Sequence, residues 1–333
     1  MEAKSSSYYG MVDLLRLVFA IAVMMIHTRA LESINKDLWI ATSMGICRLA
    51  VPFYFIVSGY FLYTRIQSPK EPKSTLKRLL ILYGTWFLIE TISLLPFVLS
   101  MLKIPPIIIA ERFLFIGITG SLWYISSLII TIFIIAPLLK KDKIFLLLII
   151  GSLLYLLGIS GDAYYGLLGK TMMSPLIKGY TAIFMFPQVG ITESILFVAL
   201  GALINKYKLD EMIKNSGLLS IIFIIILLVE TFILNKNGIA KDANMYLSSI
   251  IAVPLIFIWA INYNKNISTR ISKTCREYSV GLYCSHQIIM LWIGMFVPIL
   301  FANTVIRFIL TLCISALIIT IVRKTRLKKI LLM

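Results

Sequence analysis

Arg16 and His27 share one apolar stretch, "DLLRLVFAIAVMMIH", running from Asp13 to His27. His27 is one of only two histidines in 333 residues. Ionisable groups are costly inside a membrane-spanning segment, so each one is a functional candidate by default. At about 100° and 1.5 Å per residue, Arg16 and His27 fall about 20° apart around a helix and about 16–17 Å apart along it. A cation and an imidazole on one face at that spacing suit a long, thin ligand with an anionic head. The pantetheine arm of coenzyme A has that general length. Its phosphates would sit near Arg16 and its thioester near His27. Histidine titrates where a general base is useful, which suits removal of a proton from an attacking hydroxyl.

Other ionisable residues fill out this picture. Asp13, three residues before Arg16, can pair with it locally or reach the headgroups. Glu90 lies about 20 Å along its segment from Lys77, and His27 a similar distance from Asp13. Glu90 and His27 are therefore expected to share a layer, with Glu90 or Asp13 supporting the imidazole electrostatically. His286 sits near the middle of its own segment, as a functional group or as a packing histidine. Glu230 and Arg307 lie towards segment ends and are expected to reach water. The four cysteines (Cys47, Cys275, Cys284, Cys313) show no metal-ligand spacing and no disulfide framework, so no metal is expected.

The elements that must carry these residues are membrane helices. The chain is 59% hydrophobic and only 14% charged, against roughly 45–50% and 25% for a soluble domain. The mean hydropathy is +0.94. Helical spans need about 20 mostly apolar residues. Ten segments qualify: 11–30, 46–64, 76–101, 119–139, 143–160, 188–205, 217–234, 246–263, 277–300 and 303–323. Segments 104–116 and 174–188 are apolar but short, and read as re-entrant or interfacial pieces. The fold class is therefore all-α: a polytopic membrane helix bundle in a lipid bilayer, with the whole of 1–333 as a single transmembrane domain.

The net charge of +17 arises from 32 Lys and Arg against 15 Asp and Glu. Basic residues concentrate at both termini and in connections 65–75, 140–142, 206–216 and 264–276, Lys4 and Lys265 among them. The alternate connections carry fewer. The positive-inside rule then places both termini in the cytoplasm, with an even number of spans. No basic run is interleaved with stacking aromatics, so nucleic acid is excluded as a partner. The first segment has Lys4 alone before it and no small-residue cleavage site after it, and reads as a retained span. Nothing in the pattern sets an oligomeric state.

Several stretches together carry a resemblance. The Arg16-to-His27 spacing, "VPFYFIVSGYFL" (51–62), "LKRLLILY" (76–83), "SLWYISSLI" (121–129), "ESILFVALGALI" (193–204) and "SVGLYCSHQIIM" (279–290) occur in order along the chain. The set resembles the acyltransferase-3 family of integral membrane proteins. That resemblance implies ten spans and transfer of an acyl group, often acetyl, from a cytoplasmic acyl-CoA to a carbohydrate or lipid-linked glycan. It implies His27 as the catalytic base with Arg16 as its partner, and acetyl-CoA as the acyl donor. Lys73, Lys77 and Arg78 are then candidates for the donor phosphates. Arg48, Ser58, Trp123, Tyr283 and His286 are candidates for the substrate pocket. "CRLAVPFYF" (47–55), with Arg48, is also similar to the membrane domains of glycopeptide-resistance serine racemases, which implies an alternative: a permease domain for a small amino acid such as L-serine. The expected location is the cell membrane.

Overall fold

A computed structural model describes residues 9–66, 68, 70–101, 103–263 and 267–332. Lys4 and Lys265 of the charge pattern lie outside the described residues. Every regular element among the described residues is helical. Ten main helices are numbered here in chain order: α1 (Gly10–Thr28), α2 (Ala50–Arg65), α3 (Lys73–Ser93), α4 (Trp123–Lys140), α5 (Ile144–Gly161), α6 (Ser194–Tyr207), α7 (Ser216–Lys236), α8 (Ser249–Asn262), α9 (Thr269–Phe296) and α10 (Thr304–Arg323).

Each of the ten apolar segments holds one of these helices. Seven are long and apolar enough to cross a membrane, that of α2 counted from Lys36. α3 bends by 91° into a short helix, Leu95–Met101, and the pair makes an eighth candidate; α6 and α8 are shorter. The two short segments hold Pro106–Phe115 and Met173–Phe184, of 10 and 12 residues. An all-α multi-pass membrane bundle is thus the fold.

Local chemistry sets the helix ends near the site. Asn303 caps α10 by accepting from the backbone N–H groups of Val305 and Ile306. α1 ends at Arg29, which adopts a left-handed conformation with φ 52°. Its last carbonyls meet a cation: Arg307 donates from Nε and Nη2 to the Thr28 oxygen at 2.8 and 2.6 Å. Arg307 therefore fastens the turn that carries His27, rather than reaching for water as expected from sequence. Glu230 is also engaged within the protein. It accepts from Tyr164 Oη at 2.5 Å and from the N–H groups of Leu247 and Ser248 at 2.7 and 2.9 Å. Glu230 is half-buried, and these donors stand in for the water its carboxylate has lost.

Two helix pairs form the frame of the core. α1 lies along α9, the most enclosed of the long helices together with the α2 segment, while α7 and α10 turn most of their surface outward. α2 lies against α6 with their backbones in contact. A Cβ on Gly59 would collide with the Val198 carbonyl oxygen, and one on Gly201 with that of Ile56. Glycine at both positions lets the helices approach to that distance, which is how membrane helices gain packing energy without a hydrophobic drive.

The approach to α2 differs from the sequence expectation of a helix from residue 46. The α-helix starts at Ala50. Before it come a π-helical stretch, Ile40–Gly45, and a 3-10 turn, Ile46–Leu49. Arg48 sits on that turn. Such departures from the α-helical ladder recur at functional positions.

Candidate functional site

Two neighbouring cavities lie along the α1–α9 seam. The first has a volume of about 480 Å³ and its lining includes Asp13, Arg16, Ser58, Arg65, Arg78, Arg276 and the rings of Tyr54, Phe61 and Tyr124. The second, of about 290 Å³, is lined by His27, Arg48, Arg112, Trp123, Gln188, Glu193, Asn244 and Gln287, among others. Tyr283 lines both.

Among the described residues four guanidinium groups converge on the first cavity against one lining carboxylate. Asp13 is 2% exposed, so it does not reach the headgroups. It takes Arg16 Nη1 at 2.9 Å, Arg276 Nη2 at 2.7 Å and Ser272 Oγ at 2.5 Å. Its role is to pair and fix two of the arginines, and the expected support for His27 from Asp13 is not seen. The Arg16 carbonyl oxygen is itself held, accepting from Tyr54 Oη at 2.7 Å and Ser279 Oγ at 3.0 Å. Those bonds pin α1 to α2 and α9 at this level. Ser58 donates to the Tyr54 carbonyl oxygen at 2.8 Å and lies 3.2 Å from Tyr124 Oη. Of the three basic residues expected at the donor phosphates, Arg78 lines this cavity; Lys73 and Lys77 are exposed and line neither.

His27 lies in the last turn of α1 and faces the second cavity, so the two groups expected to share one ligand line adjoining cavities that meet at Tyr283. Glu90 does not pair with His27. It is fully buried and accepts from the N–H groups of Ile118 and Thr119 at 2.8 and 3.3 Å, and from Thr119 Oγ1 and Ser121 Oγ at 2.6 and 3.1 Å. It therefore shapes the 116–121 loop, whose Gly117 and Gly120 have φ of +77° and +87°. That loop delivers Thr119, Gly120 and then Trp123 to the cavity wall. Tyr283 Oη donates to the Ser121 carbonyl oxygen at 2.5 Å, which ties α9 to the same loop.

His286 is fully buried and lines neither cavity. Its Nδ1 faces the carbonyl oxygens of Leu282 and Tyr283 at 3.1 and 2.8 Å. That is the geometry of a packing histidine, and its ring centroid is 5.1 Å from that of His27. The hydrogen-bond partner of His27 is instead Gln287, whose Nε2 lies 2.8 Å from Nδ1.

Arg48 lines the second cavity at the end of a polar chain. It donates to Asn244 Oδ1. Asn244 in turn donates from its backbone N and its Nδ2 to Asp162 at 2.6 and 2.9 Å. Glu193, 2% exposed, accepts no hydrogen bond among the described residues. The Gln188 Oε1, Arg48 Nε and Arg112 Nε atoms are likewise buried without partners. Buried polar groups are rarely left so, and their clustering around one cavity marks it as a place for a polar ligand. Sequence reasoning did not single out Glu193, Arg112, Asp162, Asn244 or Gln287. Glu193 and Gln287 stood inside quoted motifs, and Asp162 and Asn244 sit in connections where only the fold reveals them. Among the described residues no cluster of three or more His, Cys, Asp or Glu is placed to hold a metal.

A family model described as "Acyltransferase domain", that of the acyltransferase-3 family, matches residues 10–323. The chain belongs to that family. An amino-acid racemase of Enterococcus faecalis is 27% identical over 96% of this chain and 47% of its own length. A serine/alanine racemase of Enterococcus gallinarum is 28% identical over 83% of this chain and 40% of its own length. The chain thus spans less than half the length of these curated relatives. No solved structure matches it. Family and fold together make this a multi-pass membrane protein of the acyltransferase-3 family.

Proposed function

We propose that the protein is a cell-membrane O-acyltransferase that moves an acetyl group from acetyl-CoA to a hydroxyl of a cell-envelope carbohydrate or lipid-linked glycan. One observation carries the reading: a cavity rich in arginine and a cavity holding His27 meet at one side chain, Tyr283. With both termini cytoplasmic, the arginine cavity lies at the cytoplasmic end of α1, where acyl-CoA is found. Arg16, Arg65, Arg78 and Arg276 bind the donor phosphates, which guanidinium groups match in geometry and charge. The pantetheine arm runs along α1 and presents the thioester at Tyr283. The acceptor occupies the histidine cavity, where Trp123 offers a face and Glu193, Gln188 and Asn244 offer hydrogen bonds. His27 takes the hydroxyl proton as the oxygen attacks the thioester carbon. The carbon–sulfur bond breaks, and the proton passes to the departing thiolate.

The test is CoA release by the purified protein with acetyl-CoA and a panel of glycan acceptors. Wild type is expected to turn over and His27→Ala to lose about 10³-fold. A folded His27→Ala variant with full activity sinks this reading.

A second reading rests on Arg48 and Glu193. A guanidinium and an unbonded carboxylate in one cavity fit the carboxylate and ammonium of an amino acid, and the curated relatives are named amino-acid and serine/alanine racemases. On this reading the cavity belongs to a permease domain for L-serine. Thermal stabilisation separates the two, since a ligand raises the apparent stability of the state it binds. L-serine would stabilise and acetyl-CoA would not.

A further inference from the structure

Among the described residues His27 has one side-chain hydrogen-bond partner, Gln287, and the chemistry of that pair decides what His27 can do. A neutral imidazole carries one N–H and one lone pair. Gln287 Nε2 stands 2.8 Å from His27 Nδ1. With the amide N–H directed at it, Nδ1 is the acceptor and the ring proton resides on Nε2. In that tautomer the nitrogen left for the cavity is a donor, suited to hold an oxygen atom but unable to remove a proton. A half-turn of the carboxamide brings Oε1 to the same place. Once the ring proton has exchanged from Nε2 to Nδ1 through cavity water, Nδ1 donates to Oε1 and the Nε2 lone pair is left for the cavity as a base.

We propose that Gln287 is a positioning residue that sets the tautomer of His27, and that rotation of its carboxamide, with cavity water taking the Nε2 proton and returning one to Nδ1, converts Nε2 from hydrogen-bond donor to general base. This rests on the acyltransfer reading for its consequence in catalysis, though not for the tautomer itself. A carboxylate in this place would fix one tautomer at the cost of a second buried charge. A carboxamide is neutral and pairs with either tautomer, so the ring can first hold the acceptor hydroxyl through Nε2–H and, after that proton has exchanged to Nδ1 through water, deprotonate it.

The surroundings leave this task to Gln287. His286, one residue earlier on α9, directs its Nδ1 at the Leu282 and Tyr283 carbonyl oxygens, which fixes its own proton there. Its Nε2 is buried with no partner among the described residues. The charged and titratable groups set around His27 are Cys47 and Arg48 from the 3-10 turn before α2, Arg112 from the Pro106–Phe115 helix, Glu193 at the start of α6, and Tyr283 and His286 from α9. Among the described residues none of these groups hydrogen-bonds to the His27 ring. In the transfer step the acceptor O–H proton moves to Nε2, the oxygen bonds to the thioester carbon, and the sulfur leaves and takes that proton. The products are an ester and free CoA thiol.

The chain holds only two histidines, so 15N-histidine NMR of the full chain in nanodiscs can read the tautomer directly, with His286→Ala or His27→Ala to assign the signals. Gln287→Glu is expected to place the proton on Nδ1 and raise the His27 titration midpoint by at least one pH unit. Gln287→Leu is expected to shift both ring-nitrogen signals away from their wild-type positions. In CoA-release assays Gln287→Leu is expected to lose 10- to 100-fold in kcat at unchanged KM for acetyl-CoA, and Gln287→Glu to recover part of it with its acid limb moved to higher pH. Unchanged ring-nitrogen signals in both variants overturn the proposal, as does an equal loss of activity in both with the wild-type pH profile. If Gln287→Leu does not fold, the tautomer and midpoint in Gln287→Glu decide alone. An active His27→Ala overturns the acyltransfer reading and leaves the NMR result standing, so the two failures are distinguishable.

Discussion

The two cavities solve opposite electrostatic problems. The arginine cavity concentrates positive charge, four guanidinium groups to one lining carboxylate, and that carboxylate is spent on holding two of them. The histidine cavity is mixed in sign, with Arg48 and Arg112 set beside Glu193, and it leaves several polar atoms unbonded. A surplus of one charge attracts a polyanion and tolerates variation in how it is seated. A balanced, under-bonded pocket selects by hydrogen-bond pattern, because each mismatch leaves a buried polar group unpaired. The first cavity is built to attract and the second to discriminate, and Tyr283 is where the two meet.

The largest expected effect falls on the discriminating side. His27→Ala should abolish CoA release, by about 10³-fold, while acetyl-CoA still raises the melting temperature. Loss of both together would mean that the two cavities are one binding unit. Next comes the attracting side. Arg78→Ala should raise the KM for acetyl-CoA about tenfold and leave kcat near wild type, since it removes binding shared by ground and transition states. The penalty should shrink at high salt, where the remaining charges are screened. An equal fall in kcat would place Arg78 at the reacting atoms instead.

Glu193→Gln tests discrimination directly. It keeps the shape of the side chain and removes its charge. On the glycan reading the KM for the acceptor rises by about fivefold, the loss of roughly 1 kcal/mol of hydrogen bonding. On the amino-acid reading, L-serine stabilisation disappears. An effect on acetyl-CoA affinity would blur the boundary drawn at Tyr283.

The smallest effect belongs to the rim of the arginine cavity. Glu71 precedes α3 and lies 3.8 Å from Arg65. Burial pushes its carboxyl up, but hydrogen bonds from Ser74 and Thr75 and the Arg65 charge outweigh this and hold it below its ordinary value of 4.5. A carboxyl lowered in the folded state contributes stability above its unfolded pKa, and that contribution is lost as pH falls through the lower folded value. Glu71→Gln should therefore reduce the melting temperature by less than about one degree at neutral pH, for a loss of about 0.5 kcal/mol. The difference should shrink as the pH falls below 4.5 in calorimetric scans. A difference that persists in acid would assign the effect to packing.

Much of this protein was legible without coordinates because the bilayer enforces a simple code. Long apolar runs can satisfy their backbone only as helices, so all ten segments contain one. The pairing of Asp13 with Arg16 followed from their spacing of three on a helix. Spacing along one helix could also put Arg16 and His27 on one side, and both do face the α1–α9 seam. It could not show that Tyr283 stands between them. Depth along two helices placed Glu90 level with His27, yet the carboxylate turned to the N–H groups of the 116–121 loop. Side-chain direction depends on which helices are neighbours, and that is fixed by packing between distant parts of the chain.

The sequence by itself determined that this chain is a bundle of membrane helices with a cation and an imidazole on one of them, because hydrophobic run length and helical periodicity are local properties. Only the tertiary structure decided that Asp13 also takes Arg276, that Arg307 fastens the end of α1, that Gln287 is the partner of His27, and that Asp162 and Asn244 aim Arg48. Those pairings join residues tens to hundreds of positions apart, and such contacts exist only once the helices have chosen their neighbours.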